Sequence, residues 1–164
     1  MTTARSAGRT DHEGGCMIFA REVLTDQLLD EAMPLLQAHW KEIAHYQDIP
    51  LSPDRPMYLA AEATGLIRCF TVRRPTGLLI GYATFFVKAH PHFTTSLQAV
   101  QDILFMHPDW RGHGMKFLLW CDEQLQGEEV QVVYHSVNAQ HDFGKMLIRA
   151  GYQLVDHVYL RRLD

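Results

Sequence analysis

Cysteine is scarce in this chain. Only Cys16, Cys69 and Cys121 occur in 164 residues, an odd number and widely separated. That spacing supports neither a disulfide framework nor the clustered thiolates of a zinc site, and it suits a reducing cytoplasm. Long apolar runs are lacking as well. No stretch approaches the roughly 20 residues of a membrane-spanning helix, and the N-terminus has no apolar signal core. A soluble, cytoplasmic protein is the expectation. Positive charge is in deficit, with 15 Lys and Arg against 19 Asp and Glu and a net charge of −4. Broad binding to nucleic acid or to an anionic membrane is therefore not expected, although Arg68, Arg73 and Arg74, and separately Arg111 and Lys116, form local basic clusters. Internal repeats and interdomain linkers are also missing.

What is present is the composition of one globular domain, 47% hydrophobic and 21% charged, long enough to bury a proper core. Residues 1–16 are rich in Thr, Ser, Gly and charge without periodicity, and read as a disordered tail or an upstream extension ahead of Met17. Residues 17–164 are the expected domain. A short strand, 17–23, precedes a helix that Thr25 caps and whose apolar face is Leu28, Leu29, Ala32, Leu35, Leu36 and Trp40. Pro34 is expected to kink that helix or start a new one. Prolines 50 and 53 mark a loop, and 56–63 a second helix ending near Gly65. The segments 66–73 and 78–88 form a hairpin around Arg74-Pro75-Thr76-Gly77, with Gly81 marking a bulge or a close backbone approach.

A strand over 96–106 follows, then a helix over 112–126, a strand over 130–137 and a helix over 141–150 closed by Gly151 in a left-handed cap. A last hairpin, 152–155 and 158–161, is expected to close the sheet. The fold class is α/β: a mixed central sheet of six to seven strands flanked by about four helices.

Ten histidines raise the question of a metal. His90, His92, His107 and His113 are the densest set, but metal sites want convergent ligands and a carboxylate or thiolate. Surface or hydrogen-bonded histidines are expected instead, with no metal site.

The organising stretch is DILFMHPDWRGHGMKFLLWCDEQLQ, residues 102–126. It reads as a buried strand, a Pro108 turn, a glycine-bearing loop, and a helix whose stripe is Phe117, Leu118, Cys121 and Leu125. The start of a helix presents unpaired amides at the positive end of its dipole, and glycines let an anion approach them.

The run HPDWRGHGMKFLL resembles the pyrophosphate loop of the GCN5-related N-acetyltransferases (the GNAT superfamily), whose motif is Arg or Gln, two residues, Gly, one residue, then Gly or Ala. Arg111, Gly112, His113, Gly114 and Met115 follow the pattern, and Lys116 stands where Gly or Ala is usual. The element order β-α-α-β-β-β-α-β-α-β-β is similar to the whole GNAT domain. The resemblance implies acetyl-CoA as co-substrate, its pyrophosphate on the amides of Arg111 to Lys116, and its pantetheine arm beside the strand end at Phe105 and Met106. It implies acetyl transfer to a small-molecule or peptide primary amine.

Asp102, nine residues before Arg111, occupies the position of a frequent GNAT carboxylate. It is either the general base or a strand-edge Asp that caps a turn or faces solvent. The position of the usual acid is Leu147, which has no proton to give, and Asn138 is out of register. Tyr152, Tyr134 and His141 are the candidate substitutes. The loop after the first helix lines the acceptor side in GNAT folds, which makes His45, Tyr46 and Asp48 candidate substrate-binding residues; the alternative is a loop packed by Ile49 and Leu51 with exposed polar tips. The run HWKEIAHYQDIPLSPD, residues 39–54, is also similar to small acetyltransferase-like proteins of tailed bacteriophages. A catalytically weak or inactive GNAT-shaped binding or interaction protein is the second functional expectation. Exposed final strands in this family suggest a homodimer.

Overall fold

The computed structural model describes residues 16–164. The tail expected over 1–15 lies outside the described residues, and Cys16 is exposed. Among the described residues the strands are β1 (Ile18–Glu22), β2 (Ile67–Arg73), β3 (Leu79–His90), β4 (Phe93–Met106) and β5 (Val132–Tyr134). The helices are α1 (Asp26–Ile43), α2 (Arg55–Ala63), α3 (Gly114–Gly127) and α4 (Gly144–Arg149), with 3₁₀ turns at Pro108–His113 and Ala139–His141. One sheet has the order β1-β2-β3-β4-β5. The first three pairings are antiparallel and β4–β5 is parallel.

Local chemistry explains the elements. Thr25 caps α1 by accepting from the amide of Leu28, and Asp54 caps α2 through the amide of Met57, satisfying donors a helix start leaves over. The helix α1 runs through Pro34 without a new start. Pro34 is exposed, so its ring faces solvent rather than the packed face. Gly151 (φ +96) ends α4, where its amide donates to Ile148 O at 3.1 Å and that of Tyr152 to Leu147 O at 3.1 Å. That pair of bonds is a Schellman closure, which needs a left-handed residue.

The sheet is covered on both faces. On one, Phe70, Phe85, Ala99 and Met106 pack with Phe117, Cys121 and Leu125 of α3. On the other, Ile67, Cys69, Tyr82 and Phe105 pack with Leu28, Ala32 and Leu35 of α1 and Ala61 of α2. Burial pushes the Cys69 thiol up to about 12 and raises the Cys121 thiol as well, so both are packing residues rather than reactive thiols.

Two expectations need correction. Among the described residues the sheet has five strands, not six to seven, because 152–164 forms no strand. The edge it would join, β5, offers only three residues, and Arg162 instead carries the C-terminus to the α1–α2 loop. Leu154, Val158, Tyr159 and Leu160 are left exposed. Boundaries also move: β5 is shorter than 130–137, α4 shorter than 141–150, and α3 begins at Gly114, because a 3₁₀ turn takes up Gly112.

Candidate functional site

The geometry starts from an irregularity in β4. Residues Gly81 to Thr84 of β3 pair with Met106 back to Ile103, and then Phe85 faces Gln101. Asp102 is the additional residue, a β-bulge. Side chains alternate along a regular strand, so neighbours point to opposite faces; the bulge breaks that phase. Ile103 packs in the α1/α2 cluster, and Asp102 points to the same side. Its Oδ2 accepts from the Tyr58 hydroxyl at 2.7 Å and from Thr84 Oγ1 at 3.1 Å. Oδ1 makes no side-chain hydrogen bond among the described residues, and Asp102 is exposed. Burial, then the Asp102 carboxylate, holds the Tyr58 phenol well above its ordinary pKa and therefore protonated.

On its other edge β4 parts from β5. The parallel ladder covers only Gln98–Val100 against Val132–Tyr134, so among the described residues β4 from Gln101 to Met106 has no strand on that side. The Gln101 side chain spans the opening: Nε2 donates to Ser136 O at 3.3 Å and Oε1 lies 2.8 Å from His135 Nδ1. The side chain of His135 is 1% exposed, with Nε2 3.3 Å from Asp122 Oδ1. Tyr152 donates to the other oxygen of Asp122. Further along, Met106 O accepts from Arg111 Nε at 3.3 Å. The side chains of Phe105 and Met106 are buried on opposite faces of the sheet; Phe105 O lies against Gly81 of β3, while Met106 O is turned away from β3 to Arg111.

The glycine loop follows as a 3₁₀ turn that enters α3. His113 occupies the N-cap position without making a side-chain cap. Gly114 is helical (φ −57, ψ −43), and neither Gly112 nor Gly114 has positive φ. A Cβ built on either would meet nothing within 4 Å. Backbone conformation and internal packing therefore do not require these glycines; what they keep clear is the space outside. Met115 is half-buried and Lys116 exposed, the Lys116 ammonium lying 6.0 Å from the centre of the Phe19 ring. The Arg111 guanidinium is turned away toward α1, where one nitrogen reaches both Glu42 oxygens at 2.5 and 2.6 Å, and it lies over the Phe105 ring.

Asp48 pairs with Arg162 at 2.6 Å, the same guanidinium lies over Tyr46, and His45 is exposed. Arg162 thus joins Tyr46 and Asp48 to the C-terminal segment, and among the described residues neither side chain makes a hydrogen bond or ion pair with Asp102 or the glycine loop. Leu147 is 7% exposed, a core residue in place of a proton donor. Among the candidate substitutes, Tyr152 donates to Asp122, His141 meets Glu42 O at 3.1 Å, and Tyr134 is exposed on β5. His90 and His92 pack together in the β3–β4 turn, while His107 and His113 flank the 3₁₀ turn at the opposite end of β4. No three metal-ligating side chains gather among the described residues. Sequence reasoning missed Tyr58, Thr84 and Gln101. Tyr58 lies 44 residues from Asp102, and no local pattern connects them.

No family model matches the chain, and no curated protein matches it. Solved structures do. A ribosomal-protein-alanine N-acetyltransferase from Brucella melitensis biovar Abortus 2308 superposes with TM-score 0.66 at 17% identity, over 91% of this chain and 100% of that one. An aminoglycoside acetyltransferase from an uncultured soil metagenomic sample, in complex with trehalose, gives 0.67 at 13%, over 90% and 97%. A predicted acetyltransferase from Clostridium acetobutylicum, with acetyl-CoA, gives 0.65 at 11%, over 90% and 96%. At such identities the likeness establishes the fold, an α/β GNAT-like architecture.

Proposed function

We propose that this chain transfers an acetyl group from acetyl-CoA to a primary amine, with Asp102 as general base. The supporting observation is a conjunction on one strand. Beyond Val100, β4 has a free edge facing the gap to β5, and its bulge turns a carboxylate to the α1/α2 face. The same strand then leads into a loop whose two glycines leave open space at a helix start.

The residues fit acetyl-CoA. Gly112 and Gly114 leave a pyrophosphate room to reach the amides of Met115 and Lys116 in the first turn of α3, and the outer edge of β4 at Met106 offers backbone hydrogen bonds to an extended amide arm. Acetyl-CoA supplies the activated acyl group. Asp102, directly or through one water, takes the proton from the acceptor ammonium, with Tyr58 and Thr84 fixing its orientation. A thiolate leaves acceptably without a dedicated acid, so buried Leu147 does not forbid turnover.

A second reading has its own observation. Arg111 is committed to Glu42 and to Met106 O, groups near which the cofactor would lie, as suits a GNAT-shaped binding protein without catalysis.

The test is CoA release with a panel of amines, wild type against Asp102→Asn. At neutral pH the variant is expected to lose about 10²–10⁴-fold in kcat. The deficit should shrink as pH approaches the amine's own pKa, where free amine enters without needing a base. Equal rates at neutral pH would remove Asp102 from the mechanism. Wild type that turns over no amine would favour the binding-protein reading.

A further inference from the structure

Between α1, α2 and the sheet lies a cavity of about 40 Å³. Leu28, Leu29, Ala32, Met33 and Leu36 of α1 form one wall and Pro53, Arg55 and Tyr58 another, while Cys69, Thr71, Tyr82, Thr84 and Ile103 of the sheet form the floor. Leu29, Met33, Pro53 and Arg55 are partly exposed and mark the outer end, whereas Cys69, Thr71 and Tyr82 are buried. The lining is almost wholly hydrocarbon. Tyr58 and Thr84, the two donors to Asp102, belong to it, so the carboxylate stands at its border.

One polar atom in this region is unaccounted for. Tyr82 is 5% exposed, and its hydroxyl is buried without a hydrogen-bond partner among the described residues. Burying a hydroxyl unpaired is costly, and native structures rarely tolerate it without a reason. A ligand atom that accepts one hydrogen bond removes the cost.

From the carboxylate at the border, the apolar lining and the unpartnered Tyr82 hydroxyl, we infer that the acceptor is a primary amine with a short, uncharged, apolar arm carrying one hydrogen-bond acceptor atom. This deepens the acetyl-transfer reading and rests on it. The ammonium sits at Asp102 and the arm enters the cavity, with its acceptor atom at Tyr82. A water needs about 10–15 Å³ by the same measure, so the cavity takes an arm of about three or four heavy atoms. A polyhydroxylated, polycationic aminoglycoside does not suit it, because its hydroxyls would face leucine and methionine side chains.

The probes are n-butylamine, its near-isostere 2-methoxyethylamine, methylamine and the aminoglycoside neamine. Binding is read without acetyl-CoA by saturation transfer from protein methyl groups, and turnover is read separately by CoA release. Wild type is expected to bind 2-methoxyethylamine best and to prefer n-butylamine over methylamine by about 50-fold, the worth of burying three methylene groups. Ala32→Leu, which fills the cavity from α1, should erase most of that preference. If that variant fails to fold, Tyr82→Phe carries the test alone. It should weaken 2-methoxyethylamine about fivefold, as loss of one neutral hydrogen bond, and leave n-butylamine no weaker.

Two results overturn the inference whatever the turnover shows. One is binding of methylamine or neamine as tight as that of the arm-bearing amines. The other is the absence of any difference between the isosteres that responds to Tyr82→Phe. Binding as expected with no acetylation of any probe leaves the cavity a ligand site and overturns acetyl transfer, and with it the identity of that ligand as acceptor.

Discussion

Replacing Gly114 by Ala separates what the fold needs from what a ligand needs. Gly114 opens α3 with helical dihedrals, and its added methyl would touch nothing within 4 Å. In a helix interior Ala is favoured over Gly by about 0.8–1.0 kcal/mol, and at a first position roughly half of that applies. The variant is expected to be more stable by about 0.5 kcal/mol, raising Tm by about 1–2 °C. For acetyl-CoA the sign reverses. A methyl between the amides and the pyrophosphate breaks at least one charge-assisted hydrogen bond, about 1.5–3 kcal/mol, which is about 10- to 150-fold in Kd. Gly127 provides the control. It ends the same helix, also has no positive φ, and its Cβ would also meet open space, so Gly127→Ala should leave Kd unchanged. Calorimetric titration of acetyl-CoA and a thermal melt on all three proteins suffice. A Gly114→Ala protein that is as stable as wild type and binds acetyl-CoA just as tightly would refute the assignment of the loop.

Further expectations follow from the same geometry. Tyr58→Phe removes one of two donors to an exposed carboxylate that water can re-solvate, so urea unfolding should show a loss of about 1 kcal/mol, with kcat reduced more than the KM for acetyl-CoA. Gly151→Ala forces a residue with a Cβ into φ +96, and should cost about 1–2 kcal/mol without altering cofactor affinity. Burial, foremost, holds the His39 imidazole below its ordinary 6.5. As pH falls through 6.5 the unfolded chain binds a proton the folded chain resists, so stability is full above 6.5 and declines below it. His39→Gln should flatten that decline in a series of melts, and an unchanged slope would contradict the assignment.

How much the sequence disclosed can be seen residue by residue. The stripe Phe117, Leu118, Cys121 and Leu125 is wholly buried, as helical spacing requires, and Gly151 is the left-handed cap its position indicated. Gly81 is a site of close approach: a Cβ there would stand 3.0 Å from Phe105 O. The bulge at Asp102 was illegible because Ile103-Leu104-Phe105-Met106 is apolar throughout, and such a run carries no phase to show where alternation slips. Tyr58 and Tyr82 were illegible for another reason, since their significance comes from what α2 and β3 bring near them. The final strands failed through their partner rather than their pattern. Leu154, Val155, Val158 and Leu160 suit a strand, but β5 is too short an edge to hold one.

The bulge also makes the site unusually exposed to a single kind of genetic change. Excising one codon at position 102 would let β4 pair with β3 in unbroken alternation, an outcome the sheet favours locally. The same event would remove the carboxylate and the local bend that a bulge introduces, just beyond the point where the β4–β5 ladder ends. The proposed base and the proposed cofactor slot would be altered together, in a protein still well folded. Point substitutions can lower either property by degrees; a one-residue deletion has no intermediate.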